Sequence, residues 1–310
     1  MIINYIAKEK DKDKKLKDIL YKRMYISKEL IKKAKYLNCI LVNGKSEFVS
    51  YSVKENDNIQ VDLDKYLKEV QKEAFEDKFI LVDKPLDILY EDEYLLIVNK
   101  PYNMPTHPSS DNYDNTLSNI VAAYFKKQGI KNIHIVTRLD KNTTGICIFA
   151  KNEYIQELFV RKKEQINLKK EYTAIVKGLV KDDYGIIEKN IKRMDNTILL
   201  RETTQDNNVG DYAKTEYNVI SRNIEKDYTI LNVILHTGRT HQIRVHMIDL
   251  GHILLGDTLY AEYYNIPNID KLIKRQALHA RKVSFNHPIT NKYIEIETAL
   301  PEDMKNLLYF

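Results

Sequence analysis

The spacing of apolar residues in the first quarter of the chain predicts two helices followed by two strands. Apolar positions recur at helical spacing from Leu16 and again after Ser27, a residue type suited to capping a helix N-terminus. A strand over 40–42 ends in an Asn-Gly dipeptide, a strong signal for a tight turn, and another strand is predicted over 58–63. Residues 64–80 are strongly charged, which predicts a linker with one or two exposed helical turns at most.

Beyond this linker, short runs of alternating apolar and polar residues dominate. The predicted strands lie at 88–90, 94–98, 145–150, 172–176, 228–235 and 293–298, and the predicted helices at 115–127, 153–165 and 241–250. Strands and helices mixed without regular βαβ alternation indicate an α+β fold on a mixed, largely antiparallel sheet. We therefore predict two domains: a small α/β domain over residues 1–72 and a larger α+β domain over residues 73–310.

The positive charge of the chain is concentrated in the small domain. The 310 residues include 49 Lys and Arg and 44 Asp and Glu, but residues 1–72 hold 17 basic against 11 acidic side chains. Lys28, Lys32 and Lys35 fall at positions i, i+4 and i+7, which places them on one face of the second predicted helix. A basic face on a small module is typical of polyanion binding, although charge alone leaves a solubilising lysine-rich segment equally open.

Composition argues against several classes of protein. Apolar runs such as 95–98 and 146–150 are far shorter than the roughly 20 residues that span a bilayer. The first residues lack the pattern of a secretion signal. Cys39 and Cys147 are too few for a disulfide framework and do not make a zinc site by themselves. We therefore predict a cytoplasmic protein with two reduced thiols and no membrane contact.

Three segments carry residues suited to chemistry. Asp140 stands in a turn just before a predicted buried strand, where a carboxylate can be held rigidly in a cleft as a nucleophile or base. For that segment alone, a turn-capping aspartate is the simpler alternative. Tyr172, on a predicted strand, can present a ring face and a hydroxyl to a pocket, or can be one of many among the 22 tyrosines that only pack in a sheet. Arg239 and Arg244 flank a predicted helix start, which suits a phosphate or carboxylate partner.

The histidines near that helix raise the question of a metal site. His236, His241 and His246 are spaced by five residues, which does not place two of them on one helix face as in zinc-binding helices. We therefore predict no metal ligands and treat a metal-dependent hydrolase as the weaker interpretation.

Five ordered blocks between Pro85 and Pro301 resemble the RluA-type family of RNA pseudouridine synthases. The blocks are Pro85 to Pro108 with its central Asn-Lys-Pro, Arg-Leu-Asp at 138–140 with the Thr-Thr-Gly that follows, Lys-x-Tyr-x-Ala at 170–174, Gly238 to His246, and Gln276 to Ala280 followed by Phe285 and a His-Pro pair. Residues 14–63 resemble an S4-type RNA-binding domain, in Ile-Ser-Lys at 26–28, Val-Asn-Gly-Lys at 42–45 and Glu-Asn-Asp-Asn-Ile at 55–59. The chain departs from the RluA-type pattern at Thr137, where members often have His, and at Asn103, where Gly is usual.

The resemblance implies a role for each candidate residue. Asp140 matches the catalytic aspartate, Tyr172 the tyrosine that stacks on the target base, and Arg244 the basic residue that pairs with the aspartate. Arg138 matches the arginine that helps to extrude the target uridine. Arg239 and the lysine face of the second helix are assigned to RNA binding.

The reaction that the resemblance implies converts specific uridines of structured RNA to pseudouridine. Uracil would leave the ribose at nitrogen 1 and rejoin it through carbon 5, a change that needs no redox step and no cofactor. We expect large-subunit ribosomal RNA as the partner, with transfer RNA second, and a monomeric enzyme. The alternative is a non-catalytic RNA-binding protein, which would be expected to lack Asp140, Tyr172 or Arg244. Whether Asp140 attacks the sugar or abstracts a proton from it stays open.

Overall fold

Two main sheets carry the fold, one built from residues 2–62 and the other from residues 88–297. The computed structural model describes residues 1–72, 80–109, 113–195, 197–269 and 271–308. Within those ranges, no helix is long and apolar enough to cross a membrane. The predicted domain boundary after residue 72 falls where a gap in the described residues begins, so the exact division into two domains stays a prediction.

Residues 1–72, called the N-terminal unit below, contain one antiparallel sheet and three α-helices. In chain order the elements are β1 (Ile2–Ile6), α1 (Leu16–Lys22), α2 (Lys28–Tyr36), β2 (Ile40–Val42), β3 (Lys45–Ser46), β4 (Asn58–Asp62) and α3 (Leu63–Lys72). The strands are ordered β1-β4-β2-β3. The hydroxyl of Ser27 accepts a hydrogen bond from the backbone of Leu30, and the turn after β2 has positive φ at both Asn43 and Gly44. The two predicted helices and the two predicted strands are therefore confirmed.

The prediction of an exposed linker over residues 64–80 is wrong for its first part. Residues 63–72 form α3, and Leu63 and Tyr66 on that helix are each only 1% exposed. The prediction weighed net charge above the helical spacing of Leu63, Tyr66 and Leu67, which places three apolar side chains on one face. Residues 73–79 of the predicted linker lie outside the described residues.

The large sheet is mixed and largely antiparallel, as predicted. Its ten strands are β5 (Ile88–Glu91), β6 (Leu95–Lys100), β7 (His134–Ile135), β8 (Thr144–Ala150), β9 (Lys169–Lys177), β10 (Tyr184–Glu188), β13 (Lys214–Asn223), β14 (Tyr228–Leu235), β15 (Leu278–Asn286) and β16 (Tyr293–Glu297). Two further strands, β11 (Asn190–Arg193) and β12 (Arg201–Thr204), form a separate two-stranded sheet. The order is β10-β13-β14-β9-β15-β8-β6-β5, with β16 beside β15 and β7 beside β8. Among these pairings, only β8 with β15 is parallel. The predicted α+β class is therefore confirmed.

Six helices accompany the large sheet in the described residues. They are α4 (Leu117–Lys127), α5 (Glu153–Arg161), α6 (Lys163–Ile166), α7 (Gln242–Asp249), α8 (Thr258–Tyr263) and α9 (Glu302–Leu308). The single helix predicted over 153–165 is divided at Lys162, whose ψ of 34° lies outside the helical range. The helix predicted from 241 begins one residue later, because His241 adopts a left-handed conformation with φ of 57°.

The middle strands of the large sheet are covered on both faces. On β6, Leu95 and Ile97 face one side and Leu96 and Val98 the other, and all four are fully buried. The first side packs against α5 and the N-terminal unit, and the second against α4 and α7. A continuous apolar run such as 95–98 is the expected sequence of a strand that is buried on both faces.

The N-terminal unit packs against the large sheet through α5. The hydroxyl of Tyr154 donates a hydrogen bond to the backbone oxygen of Met24 at 3.2 Å, and the hydroxyl of Tyr66 donates to Glu153. Met24 and Tyr154 are 3% and 5% exposed, so this contact is closed to water. The two sheets therefore share one apolar core, and the N-terminal unit has a fixed orientation on the rest of the chain.

Candidate active site

Asp140 stands in a tight turn whose backbone is held on both sides. The hydroxyl of Thr106 donates to the backbone oxygen of Leu139 at 2.7 Å and accepts from its N–H at 3.0 Å. The backbone N–H of Thr143 donates to the backbone oxygen of Asp140 at 3.1 Å, which closes a four-residue turn ahead of β8. The Asp140 side chain keeps 29% of its surface exposed. The turn thus fixes the backbone while the carboxylate faces a solvent-filled cleft.

Gly145 allows the end of this turn to reach the neighbouring strand. It has φ of 111°, and a Cβ atom added to it would lie 2.2 Å from the backbone oxygen of Ala280. Gly145 is also paired with Ala280 in the parallel β8–β15 register. A side chain at position 145 would therefore push apart the two strands that carry the turn.

A buried lysine holds the loops beside Asp140 together. Lys100, at the end of β6, is fully buried, and its ammonium donates to the backbone oxygens of Pro101, Met104 and Lys141 at 3.0, 2.8 and 3.1 Å. Burial lowers the pKa of Lys100 to about 8. The Asn-Lys-Pro block belongs to the family resemblance, but no role was predicted for its lysine. A lysine that closes an otherwise apolar strand was the signal that was available.

Arg244, near the start of α7, presents one edge of its guanidinium to Asp140. Its Nε and Nη2 atoms donate to the two carboxylate oxygens of Asp257, both at 2.7 Å, and its Nη1 atom lies 3.4 Å from Oδ2 of Asp140. Arg244 and Asp257 are 4% and 1% exposed. Burial alone would lower the pKa of Arg244, but the carboxylates of Asp257 and Asp140 together with Tyr260 outweigh burial and raise it. Asp257, which the sequence analysis did not single out, therefore fixes both the orientation and the charge of Arg244.

His241 also faces Asp140, and its tautomer follows from its other contacts. The hydroxyl of Tyr260 accepts a hydrogen bond from the backbone N–H of Arg201 at 3.0 Å and lies 2.9 Å from Nδ1 of His241, and we assign its own hydrogen to that nitrogen. The hydrogen of the neutral imidazole is then on Nε2, which lies 3.8 Å from Oδ2 of Asp140. Burial lowers the pKa of His241 to about 4, so the ring is neutral at physiological pH. The sequence analysis considered this histidine only as a metal ligand.

The histidines of the third segment have separate partners. His236 contacts Glu216 at 3.0 Å and His246 contacts Thr215 at 2.9 Å, while His241 contacts Tyr260. In the part of the chain that the structure describes, no three His, Cys, Asp or Glu side chains are grouped so as to hold a metal ion.

Tyr172 lies on β9 and lines the same cavity as Asp140 and Arg244, which has a volume of about 690 Å³. Its ring is 6% exposed and belongs to the core between the sheet and α7. Burial raises the pKa of Tyr172, and the carboxylate of Asp140 raises it further, so the phenol is neutral. The three residues predicted to be catalytic are thus brought together by β8, β9 and α7, although they lie far apart in the sequence.

Arg138 and Arg239 stand at the rim of this cavity. Both are exposed, and the Nε atom of Arg239 donates to the backbone oxygen of Tyr212 at 3.0 Å. They also line an adjoining cavity of about 410 Å³, whose other basic side chains are Lys192, Arg193 and Arg201. A surface rich in basic side chains therefore adjoins the cavity that holds Asp140.

The two departures from the family pattern are accommodated locally. Asn103 has φ of 57°, a left-handed conformation that glycine usually supplies and that asparagine tolerates. The hydroxyl of Thr137 accepts a hydrogen bond from the backbone N–H of Ile148 at 2.9 Å, which ties the segment before Asp140 to β8.

The predicted lysine face of α2 lies away from the catalytic cavity. Lys28, Lys32 and Lys35 are all exposed, as expected of a binding face, and none of them lines the cavity.

The sequence and the fold are similar to those of known RNA pseudouridine synthases. A family model described as RNA pseudouridylate synthase matches residues 94–249. The Bacillus subtilis protein named "Uncharacterized RNA pseudouridine synthase YhcT" is 35% identical over 309 residues, which cover 98% of this chain and 96% of that protein. "Ribosomal large subunit pseudouridine synthase D" of Vibrio cholerae is 37% identical over 231 residues, or 72% of this chain and 69% of that protein.

A solved structure supports the same fold. "Human RNA Pseudouridylate Synthase Domain Containing 4" superposes with a TM-score of 0.55 at 21% identity, covering 72% of this chain and 91% of that one. The segment matched by the family model includes Asp140, Tyr172 and Arg244, the residues that line one cavity. The extent of these matches and the shared fold show that the chain belongs to the RluA-type family of RNA pseudouridine synthases.

Proposed function

We propose that this RNA pseudouridine synthase isomerises a uridine of large-subunit ribosomal RNA, with Asp140 as its catalytic carboxylate. Transfer RNA is the second candidate. The ribosomal target is supported by the Vibrio cholerae relative, whose name assigns it to the ribosomal large subunit. The observation that carries the role of Asp140 is its place in the cavity: the carboxylate is exposed, lies 3.4 Å from Nη1 of Arg244 and shares the cavity with Tyr172.

The target base has to leave its stack before it can enter this cavity. Extruding a nucleotide costs a few kcal/mol, which contacts with the extruded base offset. The ring of Tyr172 offers a surface for stacking, a contact typically worth about 1–3 kcal/mol per base. Arg138 at the rim is exposed and is placed to fill the space that the base vacates.

Asp140 then acts on the ribose of the extruded nucleotide. As a carboxylate it either attacks the sugar or removes a proton from it, and in both cases the uracil is released at nitrogen 1 while the cavity retains it. Two hydrogen bonds to Asp257 hold the guanidinium of Arg244 in place. It therefore does not have to move in order to interact with the charge on Asp140 during the reaction. The uracil can then rotate and rejoin the sugar through carbon 5, with no change of oxidation state.

The remaining basic residues are assigned to RNA binding. Arg239 lines both the catalytic cavity and the adjoining basic cavity, so it is placed to bind a phosphate beside the extruded nucleotide. We assign the N-terminal unit to the S4-type RNA-binding domains and the exposed face of α2, with Lys28, Lys32 and Lys35, to the RNA backbone. The cytoplasmic location and the monomeric state stay predictions from the sequence.

The decisive experiment is a pseudouridine map of ribosomal and transfer RNA from a strain that lacks the gene. The strain is complemented with the wild-type protein or with Asp140→Asn, which keeps the shape of the side chain and removes its charge. We expect one or a few sites in large-subunit ribosomal RNA to be lost and to return only with the wild-type protein. Loss confined to transfer RNA would replace the ribosomal target by the second candidate. Restoration by Asp140→Asn would overturn the role of the carboxylate.

A further inference from the structure

A row of basic side chains joins the catalytic cavity to the N-terminal unit. It begins at Lys170, which lines the cavity two residues before Tyr172. The next member is Lys163, which is close enough for its charge to lower the pKa of Lys170, an effect second to burial. Lys162 and Arg161 follow at the junction of α5 and α6. Of these four residues, Arg161 and Lys162 contact the N-terminal unit.

Two tyrosines of the N-terminal unit continue the row. The ammonium of Lys162 lies 4.9 Å from the centre of the Tyr25 ring, and the guanidinium of Arg161 lies 3.9 Å from the centre of the Tyr21 ring. The ammonium of Lys28, the first residue of α2, lies 5.6 Å from the centre of the same Tyr21 ring. Lys28 on α2 and Arg161 on α5 thus share one aromatic ring.

In the described residues, the four lysines of this row lack the acidic partners that other lysines of the protein have. Lys151 pairs with Glu91 at 2.7 Å and Lys189 with Asp249 at 2.8 Å. Across the described residues, by contrast, neither Lys28, Lys162, Lys163 nor Lys170 forms a salt bridge with an acidic side chain.

The charge of Arg161 is only partly balanced by an acidic side chain. Its Nε atom lies 3.7 Å from Glu157, and its Nη1 atom is buried with no hydrogen-bond partner among the described residues. A row of five like charges with Glu157 as its one acidic partner among the described residues is unfavourable in the free protein, and it suits a polyanion that supplies the missing charges.

We propose that Lys28, Arg161, Lys162, Lys163 and Lys170 form a track for the phosphate backbone of the RNA, leading from the catalytic cavity to α2. The track is preformed, because Tyr154 and Tyr66 hold the N-terminal unit against α5. RNA that enters the track therefore meets Lys32 and Lys35 on the exposed face of α2 at a fixed position relative to Asp140. The proposal rests on an RNA substrate and is independent of the ribosomal target.

The test compares RNA affinity with turnover in one set of variants. Lys28→Gln, Lys162→Gln and Lys163→Gln are combined, since all three residues lie outside the catalytic cavity. Binding of a structured RNA hairpin is measured by fluorescence anisotropy over a series of salt concentrations, in an Asp140→Asn background so that no turnover occurs. Turnover is measured separately, with Asp140 intact, on a short uridine-containing oligoribonucleotide that reaches only the cavity. The matched control replaces Lys181, Lys271 and Lys292, three exposed lysines outside the track, by glutamine.

We expect the triple variant to bind the hairpin at least tenfold more weakly and to lower the slope of log affinity against log salt concentration by about 0.7–0.9 per lysine lost. Triple arginine substitution at the same positions should restore both affinity and slope, and the control variant should keep them. Turnover of the short oligoribonucleotide reports on the catalytic cavity itself: a loss of turnover as large as the loss of hairpin affinity would mean that the substitutions act through the fold, and it would overturn the track. An unchanged salt slope, or an equal loss in the control, would overturn the track. RNA affinity is measured in the inactive Asp140→Asn background. The test of the track therefore gives a result even if the protein does not modify ribosomal RNA.

Discussion

The neutral imidazole of His241 directs an N–H group at the carboxylate of Asp140, with 3.8 Å between Nε2 and Oδ2. The contact on the other side of the ring sets this direction. The hydroxyl of Tyr260 is hydrogen-bonded to Nδ1, which leaves the hydrogen of the neutral ring on Nε2. Asp140 therefore stands between two hydrogen donors, the charged edge of Arg244 and the uncharged edge of His241. Distances of this length commonly shorten when the substrate binds, and His241 is then a positioning residue for the catalytic carboxylate.

We expect His241→Ala to lower kcat by roughly tenfold, which corresponds to about 1.4 kcal/mol, with little change in KM. His241→Gln places an amide N–H close to the position of Nε2 and should recover most of the rate. Steady-state kinetics on one RNA substrate measure both effects. Because the pKa of His241 is lowered to about 4, the variants and the wild type should have the same pH profile of kcat above pH 5. A loss of RNA affinity at constant kcat would assign His241 to binding instead.

The ion pair of Arg244 and Asp257 has consequences for stability as well as for catalysis. Asp257→Asn leaves a buried guanidinium without its counter-charge, and we expect it to lower the free energy of unfolding by about 3–5 kcal/mol. Replacing both residues, as Arg244→Met with Asp257→Leu, removes both charges and should destabilise less than Asp257→Asn alone. Urea unfolding of the two variants measures the difference. Both variants should lose pseudouridine formation. A double variant that regains stability but not activity would separate the role of the ion pair in stability from its role in catalysis.

The site residues that were predicted from the sequence lie in local motifs, whereas those that were missed act through contacts with other residues. Asp140, Tyr172 and Arg244 each lie in a short motif whose resemblance to the family can be read locally. Asp257 and Tyr260 act only by contact with Arg244 and His241, and those contacts exist because α7 and the start of α8 fold together. No local pattern indicates such a pairing, because one Gly-Asp dipeptide or one tyrosine is equally common at turns and in cores.

The fold, too, was predictable where the sequence signal is local and not where it depends on packing between distant segments. The period of apolar residues predicted the strands around the site and the α+β class, since burial on a sheet imposes that period directly. The packing of α3 and α5 between the sheets was not predictable, because a charged segment with three apolar positions fits an exposed turn equally well until its partner surface is known.

The close approach of Gly145 to Ala280 predicts a strong effect of adding one methyl group. Gly145→Ala introduces a Cβ atom 2.2 Å from a backbone oxygen at a φ of 111°. We expect it to lower the free energy of unfolding by roughly 3 kcal/mol or more and to reduce activity by displacing the turn of Asp140. Gly129→Ala is the matched control, because φ there is also positive, at 76°, but nothing lies within 4 Å of the added atom. The control should cost about 1 kcal/mol. Equal effects in urea unfolding would contradict the steric explanation.

Buried histidines predict that the protein loses stability in mildly acidic solution. Burial lowers the pKa of each of His134, His241, His246 and His279 to about 4, whereas the same residues titrate near 6.5 in the unfolded chain. Between these values the unfolded chain binds more protons than the folded one, so the free energy of unfolding falls as pH decreases from about 6.5 to 4. Each histidine contributes at most about 1.4 kcal/mol per pH unit in this window.

Urea unfolding at a series of pH values between 7 and 4.5 measures this loss, and His246 provides the most direct variant, because it is fully buried. His246→Gln should reduce the slope of unfolding free energy against pH, whatever it does to stability at pH 7, since glutamine takes up no proton in this range. A wild-type protein equally stable at pH 7 and pH 5 would show that the buried imidazoles gain protons without unfolding, and the assignment of a neutral ring to His241 would fall with it.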